Sequence, residues 1–217
     1  DDRVESVVRR IRAGNIYVNR NQIGAVVGSQ PFGGEGLSGT GPKAGGPDYV
    51  ARLAQPAAAP VAGATGASAD LVALAAALAA PVSQAAVATR DMPGPTGESN
   101  RLSLHPRAPV LCLGPGPQAE AQQAAAIRAL GGVAVAAGGA VPADWLASAT
   151  GFSAVLWWGD EAGGRALAQA LARRSGPILP LITARPDAAH ALTERHLCID
   201  TTASGGNAQL LVAASGD

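Results

Sequence analysis

Three stretches of this chain hold residues whose types and spacing could do chemistry. Gly114-Pro115-Gly116-Pro117-Gln118-Ala119 fits G-x-G-x-x-A and lies between an apolar run and a helical pattern. In that setting a glycine-rich turn cradles a dinucleotide pyrophosphate on the N–H groups opening a helix. Two features count against it here. Pro115 and Pro117 have no N–H to offer, and the next apolar run ends in Ala136-Ala137-Gly138-Gly139, with no acid for a ribose hydroxyl ~20 residues on. A structural turn is the expected reading. The stretch from Gly36 to Lys43 has the outline of a P-loop, but Pro42 separates Gly41 from Lys43, and Ala44 stands where Ser or Thr would hold magnesium. Ser38, in Gly36-Leu37-Ser38-Gly39-Thr40, lacks the final glycine of a nucleophile elbow and has no assignable acid/base pair.

The remaining reactive side chains have plainer readings. Cys112 and Cys198 each sit in an apolar run, far apart in sequence, and read as small core hydrophobes in a reducing cytoplasm. His105, His190 and His196 show no metal-ligand spacing, so satisfied or exposed imidazoles are expected and no metal site is assigned. Trp157 and Trp158 are neighbours at a strand end and so face opposite sides, one toward the core and one toward an interface. Asp160-Glu161 reads as a helix cap.

Sixteen basic and sixteen acidic side chains among 217 residues leave no net charge, which argues against nucleic acid as a partner. The apolar run over 71–80 is too short for a membrane span, which needs ~20 residues, so no membrane span is expected. The aromatic fraction is 3%, so the core must be built from Ala, Val and Leu.

These residues need elements to position them. Spacing predicts a helix over 4–12 closed by Gly14, a strand over 15–19 and another strand or a short extended piece over 49–53. Residues 54–69 are Ala/Pro/Gly/Thr without periodicity and read as a linker. A helix over 70–80 starts at an Asp70 N-cap, and 85–100 reads as a long loop. Apolar strands at 109–113, 133–136, 154–158 and 177–182 then alternate with helices at 118–130 and 161–174. A last strand at 196–200 and a terminal element at 207–214 follow. Continuous apolar strands between amphipathic helices predict an α/β fold: a small doubly wound, Rossmann-like, mostly parallel sheet with helices on both faces.

Gly14-Asn15-Ile16-Tyr17-Val18-Asn19-Arg20 and the Gln30-Pro31-Phe32-Gly33-Gly34 loop resemble the carboxyl-terminal catalytic segment of aldehyde dehydrogenases. Gly41-Pro42-Lys43-Ala44-Gly45-Gly46-Pro47 is similar to the L-glutamate gamma-semialdehyde (pyrroline-5-carboxylate) dehydrogenase branch. Pro93-Gly94-Pro95-Thr96-Gly97-Glu98-Ser99-Asn100 and the run from Asp200 to Ala208 resemble the extra carboxyl-terminal domain of long, bifunctional proline utilization A proteins. The resemblance implies residues 1–53 as an aldehyde dehydrogenase tail segment, 54–69 as a linker, and 70–217 as a non-catalytic Rossmann-like domain. It implies a parent enzyme with NAD and FAD, taking proline to glutamate, and a domain that acts as a lid for substrate channeling and in assembly.

Carried over by position, Gly24 and Ala25 would hold the substrate α-carboxylate on their backbone N–H groups, and Phe32 would pack on its aliphatic chain. Paired amides in a tight turn suit that task, since they bind an anion without a charged side chain. The family's catalytic Cys and Glu have no counterpart here, so no catalytic residue and no cofactor binding are assigned to this chain alone. Thr201, Gly205, Gly206 and Asn207 are expected to dock on another part of the parent enzyme or on a second copy in a homodimer. The competing reading is an autonomous NAD-binding oxidoreductase domain built on the Gly114 turn.

Overall fold

The computed structural model describes residues 2–22, 24–39, 41–54, 56–57, 59 and 66–201. In chain order the regular elements are α1 (Asp2–Val8), β1 (Asn15–Val18), α2 (Leu71–Leu78), β2 (Ala88–Met92), β3 (Glu98–Pro106), β4 (Val110–Cys112), α3 (Gly116–Ala129), β5 (Ala134–Ala136), α4 (Ala143–Leu146), β6 (Ala154–Leu156), α5 (Glu161–Ala172), β7 (Leu181–Ile182), α6 (Ala188–Ala191) and β8 (Leu192–Asp200). Two short 3-10 turns, Gly36–Ser38 and Val50–Leu53, lie between β1 and α2.

The chain forms two compact units. One is residues 1–53, 88–104 and 194–217; the other is 54–87 and 105–193. These spatial units interleave along the sequence, whereas the reading from sequence divides it linearly near the linker. The physical reason is strand pairing. In the first unit the strands run in the order β1-β8-β3-β2. β8 lies parallel to β1 with Asn15 opposite His196 and Tyr17 opposite Cys198, and β2 and β3 form an antiparallel hairpin.

The second unit holds a four-stranded, all-parallel sheet in the order β5-β4-β6-β7. This is the predicted doubly wound α/β arrangement, and its strand order reverses between β4 and β6. Val110, Leu111, Cys112, Ala154, Val155 and Leu156 are all buried, as continuous apolar strands covered on both faces must be. Its core joins Leu74 and Leu78 of α2 to Leu111, Val155, Phe152 and, from α5, Leu167, Ala170 and Leu171. The Asp70 carboxylate caps α2 by accepting from the Val72 and Ala73 N–H groups, and Asp160 caps α5 through Gly163 N–H. Both caps agree with expectation.

Several elements depart from the sequence reading. Within 85–100, residues 88–92 and 98–100 are strand and not loop: Gly97 at φ +84 turns the chain between β2 and β3, and their polar residues hide the strand signal. Residues 50–53 form a 3-10 turn rather than an extended piece. The strand over 196–200 is longer, and it joins β1 and β3 rather than the parallel sheet. The stretch 207–214 lies outside the described residues. Among the described residues no helix is long and apolar enough to cross a membrane.

Candidate functional site

β1 and β8 present Asn15, Tyr17, Glu194, His196 and Cys198 on one face, because side chains alternate along a strand and paired positions share a side. The glycine- and proline-rich segment is tied to β8 residue by residue. Glu194 Oε2 accepts from Lys43 N–H at 2.5 Å. Arg195 forks onto Glu35 at 2.6 and 2.7 Å, a bidentate geometry that fixes direction as well as distance. His196 N–H donates to the Gly14 carbonyl at 2.8 Å.

Lys43 is buried, with its ammonium donating to Asn15 Oδ1 at 3.0 Å and to the Gly33 carbonyl. Burial lowers its pKa to about 8, against the pull of Glu194 and Glu35. Burial likewise raises the Glu194 carboxyl, opposed by the Lys43 N–H and reinforced by Asp48. The His196 ring is fully buried and neither nitrogen makes a hydrogen bond. Burial, then the Lys43 charge, lowers its pKa to about 4, although the nearby Ser29 carbonyl favours the proton.

Gln30 is the second buried polar hub. Its backbone N–H donates to the Val26 carbonyl at 2.8 Å, and its side-chain Oε1 accepts from Val26 N–H at 3.3 Å. Both ends of the 26–30 turn are thereby closed on one residue. Its Nε2 donates to Glu98 Oε1 at 2.7 Å and approaches Cys198 Sγ at 3.6 Å. Glu98 also accepts from Asn100 Nδ2 at 2.8 Å and pairs with Arg20. Burial alone would raise Glu98, but the hydrogen bonds from Asn100 and Gln30, with the Arg20 charge, hold it below the ordinary carboxylate range.

Gly24 and Ala25 lie just before this clamped turn, Gly24 at φ +80. No hydrogen bond occupies either N–H among the described residues. Phe32 is 52% exposed, and Val26 and Val27 are exposed as well. Thr201 bonds through its N–H and hydroxyl to the Gly97 carbonyl, at 2.7 and 2.6 Å; Gly205, Gly206 and Asn207 lie outside the described residues.

In the parallel sheet, the turn after β4 does not fit a dinucleotide. Gly114 N–H donates to Gln123 Oε1 at 2.9 Å, while its carbonyl accepts from Gln123 Nε2 at 2.8 Å and from Trp158 N–H at 2.9 Å. With Pro115 and Pro117 supplying no N–H, few donors remain for a pyrophosphate. Beyond β5, the Glu120 carboxylate accepts from Gly138 N–H at 2.7 Å, so this buried acid is engaged with backbone. The Trp157 ring lies against Gly159 and Gly163 at the start of α5 and its Nε1 donates to the Asp160 carbonyl. Trp158 is the core member of the pair, donating to the Ala184 carbonyl at 3.0 Å.

Cys112 is the inert core residue expected, its thiol raised by burial to about 12. Cys198 is buried too but is a hydrogen-bond acceptor for Arg20 and Gln30, not merely a hydrophobe. His190 joins Asp187 in a capping box, and His105 Nδ1 is 2.9 Å from the Gln84 carbonyl. His196 corrects the expectation of satisfied or exposed histidines, being neither. Sequence reasoning missed the hubs Gln30, Lys43, Glu98 and Glu194. For Lys43, Glu98 and Glu194 the one visible signal was charge inside otherwise strand-like or glycine-rich runs; the neutral Gln30 gave none. Among the described residues no cluster of three His, Cys, Asp or Glu groups suits a metal.

Residues 1–58 match the aldehyde dehydrogenase family. The bifunctional protein PutA of Salmonella typhimurium is 36% identical over 97% of this chain and 20% of its own length. The 1-pyrroline-5-carboxylate dehydrogenase 1 of Halalkalibacterium halodurans is 56% identical over 22% of this chain and 9% of its own. The structure of proline utilization A from Corynebacterium freiburgense shares the fold, with a TM-score of 0.56 at 23% identity, covering 92% of this chain and 22% of that one. The chain is thus similar to part of the PutA proteins, and it spans about one fifth of the length of the curated relatives it matches.

Proposed function

We propose that this chain is part of a bifunctional enzyme that oxidises proline to glutamate with FAD and NAD, and that it contributes binding and cover, not bond-making groups. Residues 24–32 form the anchor for glutamate semialdehyde. The Gly24 and Ala25 N–H groups hold its α-carboxylate, and Phe32 packs on its methylenes. The observation that carries this reading is the pair of unoccupied N–H groups at a turn fixed from both ends by Gln30. Exposed Val26, Val27, Phe32 and Leu53 support it, since such side chains suit a surface completed by the rest of a catalytic module.

The α/β unit keeps a dinucleotide-binding topology with fewer of the donors that topology normally presents. It works as a structural domain, a lid over the path between two active sites and a means of assembly. Thr201, Gly205, Gly206 and Asn207 are the segment through which the chain docks on the rest of the enzyme or on a second copy. Calorimetric titration of this chain with NAD tests the non-catalytic role: no saturable heat is expected. Saturable binding in the micromolar range would favour an autonomous oxidoreductase domain.

A further inference from the structure

We propose that Glu98, the first residue of β3, is a positioning residue for the acidic aldehyde: it sets the carboxylate-anchor loop by fixing the orientation of the Gln30 amide. This inference rests on the anchor assigned above to Gly24 and Ala25. A carboxamide can sit either way round, and its partners decide which way. The ionised Glu98 only accepts, so the Gln30 Nε2 group must face it, and the bond is 2.7 Å. That choice turns Oε1 toward the Val26 N–H, one residue beyond Ala25. The reversed amide would set an NH2 against an N–H at Val26 and a carbonyl against a carboxylate at Glu98. Both clashes are buried, since Gln30 is 1% exposed.

Glu98 is itself held from two sides. Arg20 pairs with its other oxygen, and Asn100 donates to the oxygen that Gln30 uses. The hairpin that carries Glu98 is separated in sequence by more than sixty residues from the loop it governs, so the hairpin reads as a part of the substrate site and not only as sheet edge. With the Gln30 amide bonded at both ends and both Glu98 oxygens engaged, such a buried polar hub specifies one arrangement of the backbone around it. Replacing Glu98 by Gln removes the charge while keeping the shape, and gives position 98 an NH2 that accommodates either orientation of Gln30.

The test uses the full-length protein containing this chain. Steady-state constants are measured for glutamate semialdehyde and for an unbranched aldehyde of the same length lacking the α-carboxylate. For Glu98→Gln the expected result is a KM for the acidic aldehyde raised about tenfold, kcat within about twofold, and an unchanged KM for the neutral aldehyde; tenfold corresponds to about 1.4 kcal/mol. In a Gln30→Ala background the same substitution should add almost nothing, because Glu98 acts through Gln30. Equal effects on both substrates, or additive effects in the double variant, would overturn the proposal. A native protein that shows no preference for the acidic aldehyde would instead overturn the anchor assignment, so the two failures are distinct. Should Glu98→Gln not fold, Glu98→Asp replaces it, and a KM for the acidic aldehyde that stays at the native value overturns the proposal equally.

Discussion

The buried, unbonded ring of His196 makes the β1–β8 pairing sensitive to acid, and the size of the effect follows from its environment. Burial, and then the Lys43 charge, lowers its pKa from 6.5 to about 4. The unfolded chain therefore takes up a proton at His196 before the folded chain does. The contribution of this group is fully present above pH 6.5 and is lost as pH falls toward about 4. At pH 5 the ratio of the two binding polynomials is roughly 30-fold, a loss of about 2 kcal/mol relative to pH 7.5. Glu194, whose pKa is raised by burial, works in the opposite direction, since its folded form accepts a proton more readily on acidification. A native-to-variant difference removes that term. His196→Phe keeps an aromatic ring against Tyr17, now in edge contact at 6.5 Å between centroids, and cannot titrate. It also removes two buried ring nitrogens without partners, so it should stabilise the pairing by about 1 kcal/mol at neutral pH. The assay is amide hydrogen exchange at pH 7.5 and 5, corrected for intrinsic rates, on peptides covering 15–18 and 194–200. On acidification from pH 7.5 to 5 the native chain's opening should rise roughly 30-fold more than the Phe variant's. Equal pH dependence in native and variant chains would refute the argument.

Two further outcomes are expected. Gly139→Ala should lower stability by about 2–4 kcal/mol, because its Cβ would stand 2.3 Å from the Ala67 carbonyl at a φ of +151 and break the Ser68–Ala140 bridge. Gly138→Ala, at φ +73 with nothing within 4 Å, should cost only about 1 kcal/mol. Urea unfolding followed by the fluorescence of Trp145, Trp157 and Trp158 separates them, and equal midpoints would count against the crowding at Gly139. Deleting residues 201–217 from the full-length protein should introduce a lag in proline-driven NADH formation or reduce its assembled size. Unchanged coupling together with unchanged size would remove the docking role of that segment.

Much of the α/β unit was legible because its signals are local. Val110, Leu111 and Cys112 form an unbroken apolar run, Asp70 and Asp160 announce helix starts, and Gly131-Gly132 announces a stop. The prolines around Gly114 left that turn with few N–H donors, a feature also legible from residue type alone. The first unit was poorly legible because its order comes from distant partners. Strand β2 carries Thr89, Arg90 and Asp91 and β3 opens on Glu98, Ser99, Asn100 and Arg101, so the only apolar alternation, Leu102 and Leu104, comes late in β3, and their pairing is decided by a hairpin turn at Gly97. The destination of β8 depends on β1, more than 170 residues earlier, and periodicity holds no information on that scale. The proposed anchor residues Gly24, Ala25 and Phe32 rest on motif likeness, not on any spacing rule. Their support by Gln30 and Glu98 is a hydrogen-bond network, and no spacing rule reports which amide faces which carboxylate.

The account centres on an anion anchor at Gly24 and Ala25, and substrate preference reads it most directly. The full-length protein should oxidise glutamate semialdehyde with a kcat/KM roughly 10- to 100-fold above that for the equally long aldehyde without an α-carboxylate. That factor corresponds to about 1.5–3 kcal/mol from hydrogen bonds to a charged group. The preference should lie in KM. Equal kcat/KM values for the two aldehydes would contradict the anchor and, with it, the role given to this loop.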